Sequence, residues 1–568
     1  MQMNGQPCAS TGKAQNWESI NWTVARTYVK KLQMRIVKAQ KEGRIGKVKS
    51  LQWLLTHSFY TKALAVKRVT ENKGKRTSGI DRELWNTPQA KFNAIARMKR
   101  RGYQPRPTRR IYIPKKNGKL RPLSIPTMLD RAMQTLYRYS LEPIAETFAD
   151  VNSYGFRVAR STHDAVEQCS IVLGLKGAAE WVLEGDIKGC FDRISHEWLL
   201  ENVPMDTEIL RKWLKCGFVD TGKLFPTEEG APQGGSISTV LMNQTLDGLE
   251  RYIHEMLPPH KRANGYERAY KINFVRYADD FIITGKTEEL LRERVLPLVK
   301  SFLIERGLQL SEEKTLITHI DDGFDFLGKN FRKYNGTLLV KPTKASIEAF
   351  LDKVRNTVKG NPTLEQEHLI HLLNPIIRGW VNYQRYVSSA AIFGRVDYEI
   401  FNCLWRWALR RHRNKSRRWV AAKYWHRLGN RNWTFSCNSD TKKKNGKPYD
   451  VILEYATDTK ILNYAKVKAE SNPFDKEWSE YFEEREGEKM LHSMKGRDRL
   501  LRIWRSQKRR CPVCGENLTA ETSFKIHTQT SVGGVMHKTM VHKECHKRLH
   551  SDSSDSEPAL LGESLAEA

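Results

Sequence analysis

Ile272-Asn273-Phe274-Val275-Arg276-Tyr277-Ala278-Asp279-Asp280-Phe281-Ile282-Ile283-Thr284 is the stretch on which the reading of this chain turns. Two short apolar runs, 272–275 and 281–284, flank four residues and predict the two strands of a hairpin. Asp279 and Asp280 then fall on the turn, with adjacent carboxylates facing outward. Like charges this close repel, and desolvation adds to the cost, so such a turn favours a bound cation. The plain alternative is an ordinary turn, since Asp favours turns. Asp186 weighs against it. It follows another apolar run, Trp181-Val182-Leu183, and precedes Ile187-Lys188-Gly189-Cys190-Phe191-Asp192. Three carboxylates from two strand ends suit Mg²⁺, which takes few protein ligands and keeps places for water and substrate phosphates. Two such ions about 3.5–4 Å apart clamp the attacking and leaving oxygens of a phosphoryl transfer.

Composition narrows the partners. At 568 residues the chain exceeds one core, and roughly three or four domains are expected. A hydrophobic content of 39% excludes a disordered polycation. The net charge of +32 points to a polyanion, with binding steeply dependent on salt. Fifteen Trp and twenty Tyr, many beside Arg or Lys, add stacking surfaces. No run approaches the roughly 18 apolar residues of a membrane span, and no secretory apolar region follows Met1, so no membrane partner is expected. The nine Cys are scattered except for Cys511, Cys514 and Cys545, which fits a reducing, cytoplasmic setting better than a disulfide framework.

Residues 17–70 read as basic amphipathic helices in which Val29, Leu32, Ile36 and Ala39 share one face while Lys30, Lys31, Arg35 and Lys38 lie largely elsewhere. Around Asn117-Gly118, the segments Arg109–Pro114 and Lys119–Leu123 predict a second hairpin. Lys119 and Arg121 alternate with Leu120, so both cations leave one face and could hold a triphosphate. Pro232-Gln233-Gly234-Gly235-Ser236 reads as a turn leading into a helix through Leu241 and Leu246. Residues 307–311, followed by Lys314, and residues 323–328 read as further edge strands. From about 340 the chain turns to long helices rich in Trp, Tyr and Arg, such as Asn374–Trp380 and Leu404–Arg411, either a bundle with a basic rim or a nucleic-acid groove. The tail after His550 carries Asp and Glu without Lys or Arg and reads as disordered.

In this order the motifs resemble the bacterial group II intron-encoded proteins, which are reverse transcriptases and maturases. Tyr277–Asp280, Pro232–Gly235 and Asn152-Ser153-Tyr154-Gly155-Phe156-Arg157 carry the polymerase likeness, and Asn374–Trp380 resembles the thumb, or domain X. The resemblance implies an α+β multidomain fold. Fingers and an antiparallel palm of a right-hand polymerase would occupy 1–335 with an N-terminal extension, and a helical thumb 336–425. A small basic DNA-binding module at 426–505, a ββα-metal-like zinc module at 506–550 and an acidic tail at 551–568 would follow. It implies two Mg²⁺ ions on Asp186, Asp279 and the Ile187 carbonyl, with Asp280 close by. Phe191 would be a steric gate against a 2′-hydroxyl, and Lys119 and Arg121 would contact the incoming dNTP. Gln233 and Gly234 would line the nucleotide and template pocket, and Lys314 would support primer or nucleotide. The implied partners are the intron RNA, a DNA target site and dNTPs, in a ribonucleoprotein that copies reverse-spliced intron into DNA. Another bacterial reverse transcriptase, of retron or diversity-generating type, and a splicing factor with RNA binding only are the rival readings.

Cys511-Pro512-Val513-Cys514 and His542-Lys543-Glu544-Cys545 form a C-x₂-C and H-x₂-C pair suited to a tetrahedral structural Zn²⁺. The resemblance extends here to an HNH endonuclease module, in which His527 and His546 take metal-ligand positions and His550 follows. Thr528 stands where the general base belongs and His537 where an Asn belongs. Threonine cannot take a proton from water near neutral pH. The expectation is a retained zinc fold with impaired DNA cleavage, the alternative being His537 or His550 as substitute base.

Overall fold

The structure is a computed structural model. It describes residues 14–551 apart from 115–117, 119, 232, 259, 263–264, 268–269, 443–447, 495–497, 520–521 and 531–535. Lys119 and residues 552–568 of the acidic tail therefore lie outside the described residues.

Five helices build the N-terminal body: α1 (Trp22–Lys41), α2 (Ile45–His57), α3 (Phe59–Glu71), α4 (Pro88–Arg97) and α5 (Met128–Phe148). Asn21 caps α1 by accepting from the Val24 amide, and Thr127 caps α5 by accepting from that of Asp130. Val29, Leu32, Ile36 and Ala39 are all buried, as the helical period requires, and Lys30, Lys31, Arg35 and Lys38 are exposed. Strands Thr108–Pro114 and Leu120–Ile125 pair antiparallel, and the first also lies parallel to Phe218–Asp220.

A four-stranded sheet sits at the centre, in the order Leu316–His319, Trp181–Asp186, Asp280–Gly285, Asn273–Tyr277, every neighbour antiparallel. Both its faces are covered. Leu183, Phe274, Phe281 and Ile283 enter the core shared with α1, α3 and α5, whereas Val182, Val275 and Ile282 enter a second core with Tyr154, Val166 and Phe331. That double burial explains why these strands read as continuous apolar runs rather than alternating ones. The expected strand at 307–311 makes only a single bridge, Ile187 to Leu310, and the edge strand proper starts at Leu316. Phe324–Phe326 belongs instead to a separate meander with Lys329–Tyr334 and Thr337–Pro342.

Helices Lys344–Gly360, Gln366–Gln384 and Ala390–Arg411 follow, packed around Phe350, Leu369, Ile377, Val396 and Leu404. Trp425 and Phe435, from the three-stranded sheet Trp425–Leu428, Arg431–Lys442 and Pro448–Ile452, join that core with Leu453, which follows the last strand. The chain then returns to the central body: the Val467 amide donates to Asp164 at 2.7 Å, and Arg485 pairs with Asp164 at 3.0 Å. A last core of Met490, Trp504, Leu518, Met540 and Val541 supports the hairpin Phe524–Thr530 and Met536–His542 and the helix Lys543–Ser551. No helix among the described residues is long and apolar enough to cross a membrane.

Candidate polymerase active site

Tyr277 pairs with Asp280, so the hairpin loop is only Ala278 and Asp279, and Asp280 is already the first residue of the returning strand. Ala278 takes φ +60°, a left-handed conformation uncommon for a residue with a Cβ. Asp280 in turn lies directly opposite Asp186 on the neighbouring strand. Facing residues of an antiparallel pair have Cβ atoms about 4.5–5.5 Å apart. Carboxylates 94 positions apart in the sequence (280 − 186) thus meet at one end of the sheet.

The electrostatics report the crowding. Desolvation, then the charges of Asp279 and Asp186, push Asp280 up to about 7. Asp279 is also raised, by desolvation and by Asp186, against the pull of Arg121 and Lys314. Lys314 Nζ donates to Asp186 at 2.8 Å. Arg121 is exposed and close enough to act on Asp279. Asp186 and Asp280 meet and Asp279 adds its charge from the loop, without the three carboxylates all coming within 4.8 Å of one another. Hard oxygen ligands whose charges oppose one another have the donor chemistry of a Mg²⁺ site.

Phe191 is half-buried, and its carbonyl accepts from the Ala231 amide at 2.7 Å. With Pro122, Ser124, Gly230 and Gln233 it lines a cavity of 280 Å³. The Gln233 carbonyl accepts from the Ser124 amide at 2.7 Å, and Ser236 is held by Gln134 at 2.9 Å. These contacts pin the glycine turn, Gly234 exposed on it, to the cation-bearing strand and to α5. The helix expected after it runs from Ser238 to Leu246.

Sequence reasoning missed the scaffold behind the turn. Arg276 is fully buried; it pairs with Asp247 and donates to the Ala278 carbonyl and to Asn243, both at 3.3 Å. Its backbone exchanges hydrogen bonds of 2.9 Å with Asn152 and Tyr154. Gly155 passes so close that a Cβ there would fall 2.2 Å from the Ala278 nitrogen. The signal was present in an Arg between Val275 and Tyr277 and in a Gly inside 152–157, but neither names its partner.

The Asn374–Trp380 stretch is spent largely on internal contacts. Asn374 Nδ2 donates to the Ile452 carbonyl at 2.9 Å, Arg378 pairs with Glu454, and Trp380 stacks on Phe350 at 4.5 Å.

Two tight groups of metal-ligand atoms, each within 4.8 Å, lie near the C-terminal end. The first is Cys511, Cys514, His542 and Cys545, with Cys514 Sγ 3.2 Å from His542 Nδ1. Hydrogen bonds to Cys511 and Cys514 lift His542 to about 10, and the Cys511 thiol is held far down by Cys514 and Cys545. Three thiols and an imidazole are the donor set of structural zinc. The second group is His527, His546 and His550, with ring centroids 4.5–5.7 Å apart. Thr528 pairs with Lys538, on the opposite side of the hairpin from His527. His537 pairs with Gln529; it is exposed and is not in that group.

Three family models match the chain in succession: the N-terminal domain of reverse transcriptase at 17–98, reverse transcriptase (RNA-dependent DNA polymerase) at 113–331, and the group II intron maturase-specific domain at 347–425. The chain belongs to the group II intron reverse transcriptase and maturase family. Protein YkfC of Escherichia coli is 34% identical over 341 residues, which is 52% of this chain and 89% of that protein. The group II intron-encoded protein LtrA of Lactococcus lactis is 31% identical over 376 residues, 54% of this chain and 62% of LtrA. An uncharacterized 91 kDa protein in the cob intron of Schizosaccharomyces pombe is 27% identical, covering 60% of this chain and 52% of that one. The chain thus spans about three-fifths of LtrA and half of the fission yeast protein. Telomerase from Candida albicans aligns with a TM-score of 0.33 and 13% identity over 56% of this chain and 64% of that one, too loose to bear on the argument.

Proposed function

We propose that this protein copies its intron RNA into cDNA and assists that RNA in splicing, with Asp186, Asp279 and Asp280 as the polymerase carboxylates. The observation that carries the reading is the register: Asp186 lies opposite Asp280, with Asp279 in the two-residue loop beside them. Mg²⁺ held by these carboxylates and the Ile187 carbonyl would stabilise the charge that develops on the attacking and leaving oxygens. The protein's own residues position the reactants. Arg121, together with Lys119, receives the triphosphate of a dNTP. Phe191 lies under the sugar and excludes a 2′-hydroxyl, and Gln233 and Gly234 line the nucleotide and template pocket. Lys314 exchanges its contact with Asp186 for the primer or nucleotide.

The RNA-holding surfaces are the exposed cations of the N-terminal helices and the thumb, whose salt-dependent grip supports splicing. A DNA target site supplies the primer in target-primed reverse transcription during retrohoming, within a cytoplasmic ribonucleoprotein. Structural Zn²⁺ on Cys511, Cys514, His542 and Cys545 scaffolds an HNH-like module. Its histidine trio lacks a base at Thr528, so DNA cleavage is impaired.

The test separates the two roles. Asp279→Ala is expected to abolish primer extension on an RNA template while leaving splicing of the intron largely intact. Loss of both, or of neither, would refute this division of labour.

A further inference from the structure

The N-terminal turn of α1 carries a contact that neither RNA copying nor splicing explains. The loop Cys511–Leu518 of the zinc module lies against it. The Thr23 hydroxyl and Arg26 Nη2 both donate to the Cys514 carbonyl, the latter at 3.0 Å, and Arg26 Nε pairs with Glu516 at 2.6 Å. Gly515 has φ +69°, and a Cβ on it would fall 3.1 Å from Thr23 Oγ1, so the loop is fitted closely to the helix.

Arg26 and Glu516 also stand in the wall of a groove of 1070 Å³ that reaches Gly234 and Ser236 of the glycine turn. Lys30, Arg68 and Lys73, all exposed, line the same groove. Glu516 is thus a carboxylate set on a basic wall, where a phosphate of a passing strand would find the same guanidinium. Side-chain exposures of 25% for Arg26 and 39% for Glu516 mean that water screens the pair, and such pairs hold weakly. A polynucleotide brings many phosphates at once and releases counterions as it binds.

We propose that Glu516 acts as an internal phosphate mimic: it parks the zinc module on α1 of the free protein, and an RNA phosphate takes Arg26 when the groove fills, releasing the module. The inference rests on the reading of the chain as an RNA-binding polymerase. It adds that the C-terminal module and RNA compete for one edge of α1.

The experiment uses the full-length, zinc-loaded protein and a single-stranded oligouridylate of about 20 nucleotides, with affinity measured by fluorescence anisotropy. Removing a competing exposed ion pair makes Glu516→Gln bind about two- to fivefold tighter. Arg26→Ala binds more weakly, and adding Glu516→Gln to Arg26→Ala gives no further gain. Hydrogen exchange of the 511–518 amides rises when wild type is saturated with the oligonucleotide, toward the level of free Glu516→Gln, while zinc content stays equal in all proteins. Unchanged or weaker binding by Glu516→Gln, or exchange at 511–518 that RNA does not raise, would overturn the proposal. Primer extension by wild type reports separately on the polymerase reading. A protein that extends primers but shows no gain on Glu516→Gln refutes the latch alone.

Discussion

Arg276→Met removes the cation behind the catalytic turn. The guanidinium is fully buried, and its partner Asp247 is only 8% exposed. Breaking a buried pair by deleting one member costs about 3–5 kcal/mol, because the remaining charge has no counterpart. At roughly 2–4 °C per kcal/mol for a cooperative unit of this kind, the central sheet should melt about 10 °C lower by calorimetry. Burial and the neighbouring Asp150 push Asp247 up to about 7 even with Arg276 pulling it down. Without Arg276 its folded pKa rises further, while its unfolded value stays near the ordinary 3.8. Between those values the folded state binds more protons than the unfolded state, so stability falls as pH rises through the window. The deficit relative to wild type is therefore larger at about pH 8 than at about pH 5. Arg276→Met/Asp247→Leu removes both charges and should recover most of the loss. Primer extension should fall in the single variant, since the Ala278 carbonyl loses its donor. A cost under about 1 kcal/mol, or a double variant that melts as early as the single, would refute the account.

Asp280, pushed up to about 7, must be ionised to hold a cation, so primer extension at limiting Mg²⁺ rises between about pH 6 and pH 8 and flattens when Mg²⁺ is in excess. A rate independent of pH at limiting Mg²⁺ would contradict this. Stripping metal with a strong chelator unfolds the module built on Cys511, Cys514, His542 and Cys545, read as new protease cleavage within 511–550 while the body around 181–342 stays resistant. In a plasmid-nicking assay with Mg²⁺ or Mn²⁺, wild type and His546→Ala give the same background. Nicking by wild type that His546→Ala abolishes would restore a working nuclease and assign the base to His537 or His550.

The local elements were legible because their signals are local. The Tyr277–Asp280 hairpin, the cation-bearing hairpin and the amphipathic period of α1 each follow from residues a few positions apart. The strand expected at 307–311 was misread because Leu308 and Leu310 are buried beside Ile187 with a single bridge, a pattern alternation alone cannot tell from a paired strand. Whether Asn374 and Arg378 belong to a bundle rim or a groove was open in the sequence, and their internal partners, Ile452 and Glu454, are set by tertiary packing. Lys329 carried no signal of its own: it is fully buried with Nζ donating to the Tyr383 carbonyl at 3.0 Å, and burial lowers it to about 7.

By itself the sequence determined which chemistry is on offer: adjacent carboxylates where a tight turn meets its strand, a third at another strand end, and four zinc-type ligands in two short motifs. Those follow from residue type and spacing, which the chain carries wherever it folds. Only the tertiary structure decided that Asp186 faces Asp280, that Arg276 and Gly155 brace the turn between them, and that Glu516 meets Arg26. Each of these joins residues whose proximity depends on strand register and core packing, and both are settled by the burial of side chains across the whole body.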